Sequence, residues 1–264
     1  MKTMLFTLWR YRYFILGAIK NELLTRFARN RLGAIWMIIH PLAQVAIYTL
    51  VLSAVLSAKL PGINNQYAYA IYLMAGILSW SLFNEVLNRC LNVFLEHGNL
   101  LKKIAFPHLT LPLIVTGHAL LNHALLFLAT LAVLVILLHP PTLSLLWIPL
   151  MVLLNLGLAL GLGLSFGILN VFIRDIGQIV PVILQFWFWL TPIVYTTSML
   201  PESYRALFLL NPLSAIVMGY QDILVYGHRP ELTQLIYPAC LAALTLALAL
   251  FLYRRASQEM VDIL

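Results

Sequence analysis

Six long apolar runs dominate this 264-residue chain and leave it few ways to fold. They cover roughly Gly33–Ala58, Ala68–Leu95, Leu109–Leu138, Leu143–Phe172, Ile176–Thr197 and Leu232–Tyr253. Each reaches the ~20 residues that a helix needs to cross a bilayer. In hydrocarbon every backbone N–H and C=O must be paired within the protein, and continuous Leu-rich runs without two-residue alternation select helices over a barrel. With 62% hydrophobic and 9% charged residues, a water-soluble fold would lack the polar side chains to cover its surface. The expected class is an all-α integral membrane protein in one domain. Residues 1–32 form a cytoplasmic interfacial helix, 33–253 a bundle of six transmembrane helices and 254–264 a cytoplasmic tail.

Orientation follows from charge, because Lys and Arg close to membrane ends stay on the cytoplasmic side. With the N-terminus inside, the inner segments carry twelve Lys and Arg residues: Lys2, Arg10, Arg12, Lys20, Arg26, Arg29, Arg31, Lys102, Lys103, Arg174, Arg254 and Arg255. The outer segments carry three, Lys59, Arg205 and Arg229. Both termini are then cytoplasmic, and the net charge of +7 belongs to an inner membrane face, not to nucleic acid binding. The apolar piece Tyr13–Ile19 is short and is followed by charges, so it does not read as a cleavable signal. Ile15, Ile19, Leu23 and Phe27 lie four apart on one helical face, opposite Lys20, Arg26 and Arg29. This pattern suits a helix lying on the inner leaflet or one packed on cytoplasmic loops. Cys90 and Cys240 sit in different runs without metal-ligand spacing, so neither a disulfide framework nor a metal site is indicated. His40, His118 and His123 lie within or near runs, where a helix–helix hydrogen bond is the default use and a proton relay the alternative.

Polar residues concentrate on the second run. Ser81, Asn84, Glu85, Asn88, Arg89, Asn92 and Glu96 recur at three and four and form one stripe on its cytoplasmic half. Glu85 and Arg89 are four apart and can pair, either as a functional element or as a pair that orders a helix interface. Beyond the stripe, Gly98 and Pro107 bracket Asn99, Leu100, Leu101, Lys102, Lys103, Ile104, Ala105 and Phe106, a short cytoplasmic helix capped by Asn99. Its apolar side needs a partner, lipid or protein. Gly157, Gly161, Gly163 and Gly167 allow close helix packing on the fourth run. Arg174 and Asp175 sit in the short inner loop that follows, where they can anchor helix ends. The fifth run carries Phe186, Trp187, Phe188, Trp189 and Tyr195, with Pro192 interrupting its hydrogen-bond ladder. Aromatics of this density can stack on sugar rings along a path or simply pack. Residues 198–231 read as two short helices in the outer leaflet, separated at Asn211-Pro212.

Several of these features occur together in one family. They are Leu32-Gly33 with Trp36 and Pro41, the short helix before Phe106-Pro107, the Arg174-Asp175 loop, Thr191-Pro192-Ile193-Val194-Tyr195, and Leu210-Asn211-Pro212. In this order along nearly the whole chain, they resemble the permease subunit of type 2 ABC exporters that secrete O-antigen, capsule or teichoic acid polysaccharides. One departure is Ile173 directly before the Arg-Asp pair, where many relatives have an aromatic.

The resemblance implies a bacterial inner-membrane exporter built from two copies of this chain and two ATPase subunits. It makes Asn99, Leu100, Leu101, Lys102, Lys103, Ile104 and Phe106 the coupling helix on the ATPase. It makes Trp36, Tyr48, Phe186, Trp189 and Tyr195 candidates for sugar contact in a channel enclosed by the first and fifth spans. Glu85, Arg89, Arg174, Asp175, Pro192, Asn211 and Pro212 are left structural or gating roles. The chain contains no Gly-Lys dipeptide and so no phosphate-cradling loop of that kind. ATP and Mg would be held by the partner, with lipid-linked polysaccharide and membrane lipids as the remaining ligands. A drug or small-lipid exporter would share this architecture, whereas a membrane enzyme would need clustered acids or metal ligands that the chain lacks.

Overall fold

The computed structural model describes residues 11–29, 67–98, 110–137, 142–196 and 210–263, together with positions 36, 39, 42–44, 46, 47, 201 and 208. Most of the first apolar run, the Asn99–Phe106 segment and the first of the two short outer helices lie outside the described residues, as does Tyr48. What is described is helical, without strands. The elements are α1 (Arg12–Arg29), α2 (Ala68–Glu96), α3 (Thr110–Ile136), a 3-10 turn (Leu143–Trp147), α4 (Ile148–Phe172), α5 (Ile176–Trp189), α6 (Pro212–Gln221) continued by a π turn (Asp222–Tyr226), and α7 (Leu232–Ile263). Four of them, α2, α3, α4 and α7, are long and apolar enough to cross a membrane.

Two helices depart from the expected bounds. α5 has 14 residues, about 21 Å at 1.5 Å per residue, and alone is shorter than a ~30 Å hydrocarbon core. Its ladder stops at Trp189 because Pro192 offers no N–H and the chain turns through Thr191–Tyr195. α7 does the reverse: it passes Tyr253 and continues to Ile263, so the expected tail is the last three turns of one 32-residue helix. Nothing in Arg254-Arg255-Ala256-Ser257 breaks a helix.

The bundle is organised around α2. In its most apolar stretch 72% of residues are buried, against 28% in α3 and in α7. α4 provides the closest neighbour through two separate small-residue faces. A Cβ on Gly163 or Gly167 would strike α2 at Cys90 or Leu87, and one on Gly157 or Gly161 would meet α7 at Ala242 or Thr245. Buried amides tie the ends of the α2–α4 contact. Asn155 Nδ2 donates to Ser79 O at 2.9 Å, and Asn170 Nδ2 donates to Leu91 O at 3.0 Å. Such bonds gain weight where no water competes.

Asn170 also turns the corner into α5, since its Oδ1 accepts from Gly177 N at 2.9 Å. Asp175 occupies the N-cap position of α5 and makes no side-chain cap bond. The anchor at this corner is thus a buried amide on α4, while Arg174 and Asp175 are exposed. At the N-terminal end α1 packs on α3, where Ile19 fills the notch left by Gly117. Tyr13, Leu16 and Leu24 on α1 remain exposed.

On the other side of the bundle, Ser144 Oγ donates to Ile223 O at 3.1 Å and joins the α3–α4 connection to the π turn. The turn closes at Gly227, which takes φ 69°, a left-handed conformation that costs glycine nothing. Asp222 at its start is partly buried, and desolvation pushes its carboxyl up to about 6; the nearby His228 opposes this and Glu231 adds to it. Because the folded state holds this proton more tightly than the unfolded chain, stability falls as pH rises from about 4 to about 6 and stays lower above. Asp222→Asn is therefore expected to raise stability above pH 6 by roughly 1 kcal/mol after screening at this partly exposed site, with no gain at pH 4. Thermal midpoints in detergent across that pH range measure it.

Candidate translocation grooves

The polar stripe predicted on the second span exists, and α2 carries it between two cavities. Its members are fixed by local bonds. Asn88 Nδ2 donates to both Asn84 O and Asn84 Oδ1 at 2.9 Å, and Asn92 Nδ2 donates to Asn88 O at 3.2 Å. Bonds from one turn to the next hold these carboxamides in place along a helix whose backbone ladder remains intact.

One cavity, of about 470 Å³, lies between α2 and α3 and is lined by Gln44, Ser81, Glu85, Asn122 and His123, among others. Glu85 is its centre. Arg89 Nε stands 3.5 Å from Glu85 Oε1, the i,i+4 pair expected from the sequence. α3 adds what spacing alone did not show: Asn122 Nδ2 donates to the same oxygen at 2.5 Å, and the fully buried His118 Nδ1 lies 3.7 Å from it. Asn122 and His118 also contact each other at 3.3 Å. Both charges of the pair are about a quarter exposed (24% and 26%), so cavity water and these partners share the solvation that a lipid-facing position would deny. His123 points to another element, with Nε2 3.2 Å from the Tyr220 hydroxyl of α6 and the two rings edge to face at 5.9 Å. Both histidines thus serve helix–helix contacts. Among the described residues no group of His, Cys, Asp and Glu has the arrangement of a metal site.

The second cavity, of about 420 Å³, lies between α2 and α5 and includes Trp80, Asn84, Asn88, Leu184, Gln185 and Trp189 in its lining. Its aromatic end is braced by ring contacts. Trp80 meets Phe188 edge to face at 5.4 Å, and Phe83 meets Trp187 in the same way at 5.3 Å.

Beyond this end the broken carbonyls of the Pro192 segment are taken up by side chains. Tyr69 donates to Val194 O (2.6 Å), Tyr72 to Pro192 O (3.1 Å) and Tyr195 O (3.0 Å), and Gln221 Nε2 to Pro192 O (2.9 Å). Asn211 closes the arrangement. Its Oδ1 accepts from Trp187 Nε1 (2.9 Å) and Leu213 N (3.0 Å), and its Nδ2 donates to Leu190 O (3.2 Å) and Thr191 Oγ1 (2.9 Å). The Asn211-Pro212 turn is therefore at once the cap of α6 and the lock on the end of α5.

Among the aromatics singled out from sequence, Trp189 lines the second cavity and is 56% exposed. Phe186 is 68% exposed and stands outside both cavities, and Trp36 is exposed. Tyr195 is tied back, its hydroxyl donating to Trp189 O at 2.7 Å while its ring packs edge to face on Phe208. Sequence reasoning passed over Trp80, Gln185 and Gln44. A signal for the first two was present: Trp80 lies one turn before Asn84 on the stripe, and Gln185 interrupts an apolar run with a carboxamide.

Comparison with known proteins places this architecture. The chain is 28% identical over 223 residues to the O-antigen export system permease protein RfbA of Klebsiella pneumoniae, covering 82% of each chain. It is also 28% identical over 258 residues to the RfbA protein of Myxococcus xanthus, covering 97% of this chain and 96% of that one. Similarity extends to the polysialic acid transport protein KpsM of Escherichia coli, 24% identical over 251 residues and 91% of this chain. Residues 14–225 match the ABC-2 type transporter family along α1 to α6. A multi-pass helical bundle with that match over most of its length is a member of the ABC-2 type transporter family.

Proposed function

We propose that this protein is the membrane-spanning subunit of an ATP-driven exporter that carries a lipid-linked cell-surface polysaccharide across the bacterial inner membrane. The observation that carries this reading is the set of relatives. Permeases for O-antigen and for polysialic acid align with more than four fifths of this chain and of their own length. Their glycans differ, but both names denote polymers. That favours a polymer path over a small-molecule pocket, and the aromatic and carboxamide lining of the grooves suits the same cargo.

Two copies of the chain with two ATPase subunits make up the transporter in this proposal. α5 is the fifth of six spans, completed by the Thr191–Tyr195 segment, and α6 dips into the outer leaflet. The contact between Tyr220 of α6 and His123 near the middle of α3 supports that depth. Both termini are cytoplasmic. Segment Asn99–Phe106 docks on the ATPase, which binds ATP and Mg and does all the hydrolysis. Because Gly98 and Thr110 bound this segment between α2 and α3, movement there pulls directly on the two helices that hold the Glu85, Arg89 and Asn122 cluster. α1, seated on α3 through Ile19 and Gly117, moves with them.

Deleting the gene in its host and complementing with wild type or with Leu101→Asp tests the proposal. The expected result is loss of surface polymer and accumulation of its lipid-linked form inside the cell, restored by wild type and not by Leu101→Asp. Unchanged surface and internal glycan on deletion would sink polysaccharide export. Rescue by Leu101→Asp at normal ATPase association would remove the coupling role from that segment.

A further inference from the structure

We propose that the groove between α2 and α5 is a seat for uncharged pyranose sugars, with Trp80 and Trp189 taking the apolar ring faces and Asn84, Asn88 and Gln185 taking the hydroxyls. The inference rests on the polysaccharide reading above and adds to it the chemical class of sugar that this site accepts.

The first argument is the pairing of surfaces. A pyranose has an apolar face and a polar edge, so a site for it needs an aromatic plane beside neutral groups that both donate and accept hydrogen bonds. Trp80, Asn84 and Asn88 rise along α2 four residues apart, in steps of about 6 Å. α5 runs the other way: Trp80 touches Phe188 while Asn88 shares the groove with Pro181. The groove is therefore aromatic at one end and carboxamide-lined at the other. Phe188, packed against Trp80 with the two ring planes at 72°, holds that indole in one orientation.

Unspent hydrogen-bonding capacity is the second argument. Asn88 gives its amino group to Asn84, which leaves the Asn84 amino group and the Asn88 Oδ1 without a protein partner among the described residues. Gln185 has no protein partner there either, and it is exposed within the otherwise apolar stretch 179–189 of α5. A carboxamide at this depth is costly in lipid, so it must face a wet or ligand-bearing space. Together the three amides present donors and acceptors from both walls of one cavity of about 420 Å³, within the size range of small-ligand clefts.

Charge supplies the third argument, because every described residue lining this groove is neutral. The carboxylate of Glu85 belongs to the neighbouring cavity, where Arg89 and Asn122 hold it. A uronate or sialate entering the groove would lose water, find no cation among the described lining residues, and lie one helix face from an existing carboxylate. Such a charge is strongly disfavoured, whereas a neutral hexose exchanges its water for amides and indoles.

The test uses the permease reconstituted with its partner ATPase in phospholipid vesicles, titrated with maltoheptaose and with heptagalacturonate while tryptophan emission and ATPase rate are followed. Maltoheptaose is expected to change both with saturation, and heptagalacturonate to change neither. Asn84→Ala with Asn88→Ala should weaken the maltoheptaose response about tenfold. Gln185→Arg, at an exposed position and with its thermal midpoint checked against wild type, should gain an anionic response at least about tenfold above wild type. Equal responses of the wild type to both oligomers overturn the inference, as do an unchanged titration in the double variant or no gain in Gln185→Arg. A polyanionic polymer accumulating in the deletion strain, or no response to either oligomer while deletion abolishes surface glycan, removes the neutral seat and leaves polysaccharide export standing. Unchanged surface glycan on deletion removes both.

Discussion

Gly167→Val lowers the thermal midpoint of the detergent-solubilised protein by about 10 °C, and Cys90 becomes reactive to a maleimide at temperatures where it is otherwise protected. The cause is the contact that Gly167 makes possible. A Cβ at this position collides with the backbone oxygen of Cys90, an atom that cannot rotate away as a side-chain tip would. α2 and α4 must separate, and the Asn170 bond to Leu91 O one turn further is strained by the same movement. Overpacking of this kind costs about 1 to 3 kcal/mol, more where the obstacle is backbone, and each kcal/mol moves the midpoint of a protein this size by roughly 2 to 4 °C. Cys90 is fully buried and Cys240 is exposed, so a Cys240→Ser background turns Cys90 into a reporter of this one interface. Gly157→Ala is the comparison: its new Cβ meets the Ala242 methyl at 3.3 Å, a contact relieved by a shift of a few tenths of an ångström. If Gly167→Val left labelling and midpoint unchanged, α2 and α4 could not approach as closely as described.

Asn211→Ala has the second large effect, a loss of about 2 to 3 kcal/mol, because one side chain holds four partners on two helices. Losing the α6 cap alone accounts for about 1 kcal/mol. The Trp187 indole N–H then loses its acceptor, and Leu190 O loses a donor at a break where no helical N–H can replace it. Asn211→Asp separates the two halves of the role, since it keeps the acceptor for Leu213 and Trp187 but loses the donor to Leu190 and Thr191. Its expected stability lies between wild type and alanine. Thermal unfolding followed by tryptophan emission measures both, because Trp187 is itself one of the bonded groups. An alanine variant as stable as wild type would mean that α6 and the end of α5 are held elsewhere.

Both predictions concern residues that were conspicuous in the sequence, but for different reasons. Gly167 stood out as one of four small residues on a Leu-rich run, and Asn211 as half of an Asn-Pro turn. Periodicity marked the faces without naming the neighbours: the four glycines divide between α2 and α7, which lie on different sides of α4. Asn211 was legible as a helix start, whereas its hold on Trp187 and Leu190, over twenty residues earlier, was not. The Glu85 and Arg89 pair was legible because i,i+4 geometry is local. Asn122 and His118 were not, since they arrive from a helix more than thirty residues away. The Arg174-Asp175 pair drew attention as charge at a membrane boundary, while the corner is bound by the buried Asn170, which had no pattern to announce it.

What the amino-acid order determined by itself is the material of the fold. Apolar length makes helices that need lipid, a proline without an N–H ends α5, an Asn-Pro turn starts α6, and missing Cβ atoms allow close contact. Each of these acts within a few residues of its own position, through hydrogen bonding, ring geometry or side-chain size. Only the tertiary structure decided that α2 stands at the centre, that its polar stripe divides two cavities, and that Trp80 and Gln185 share one of them. A helical face states what must be covered. Which helix covers it depends on packing among elements far apart in the chain, where shape and buried hydrogen bonds select among partners that hydropathy treats as equal.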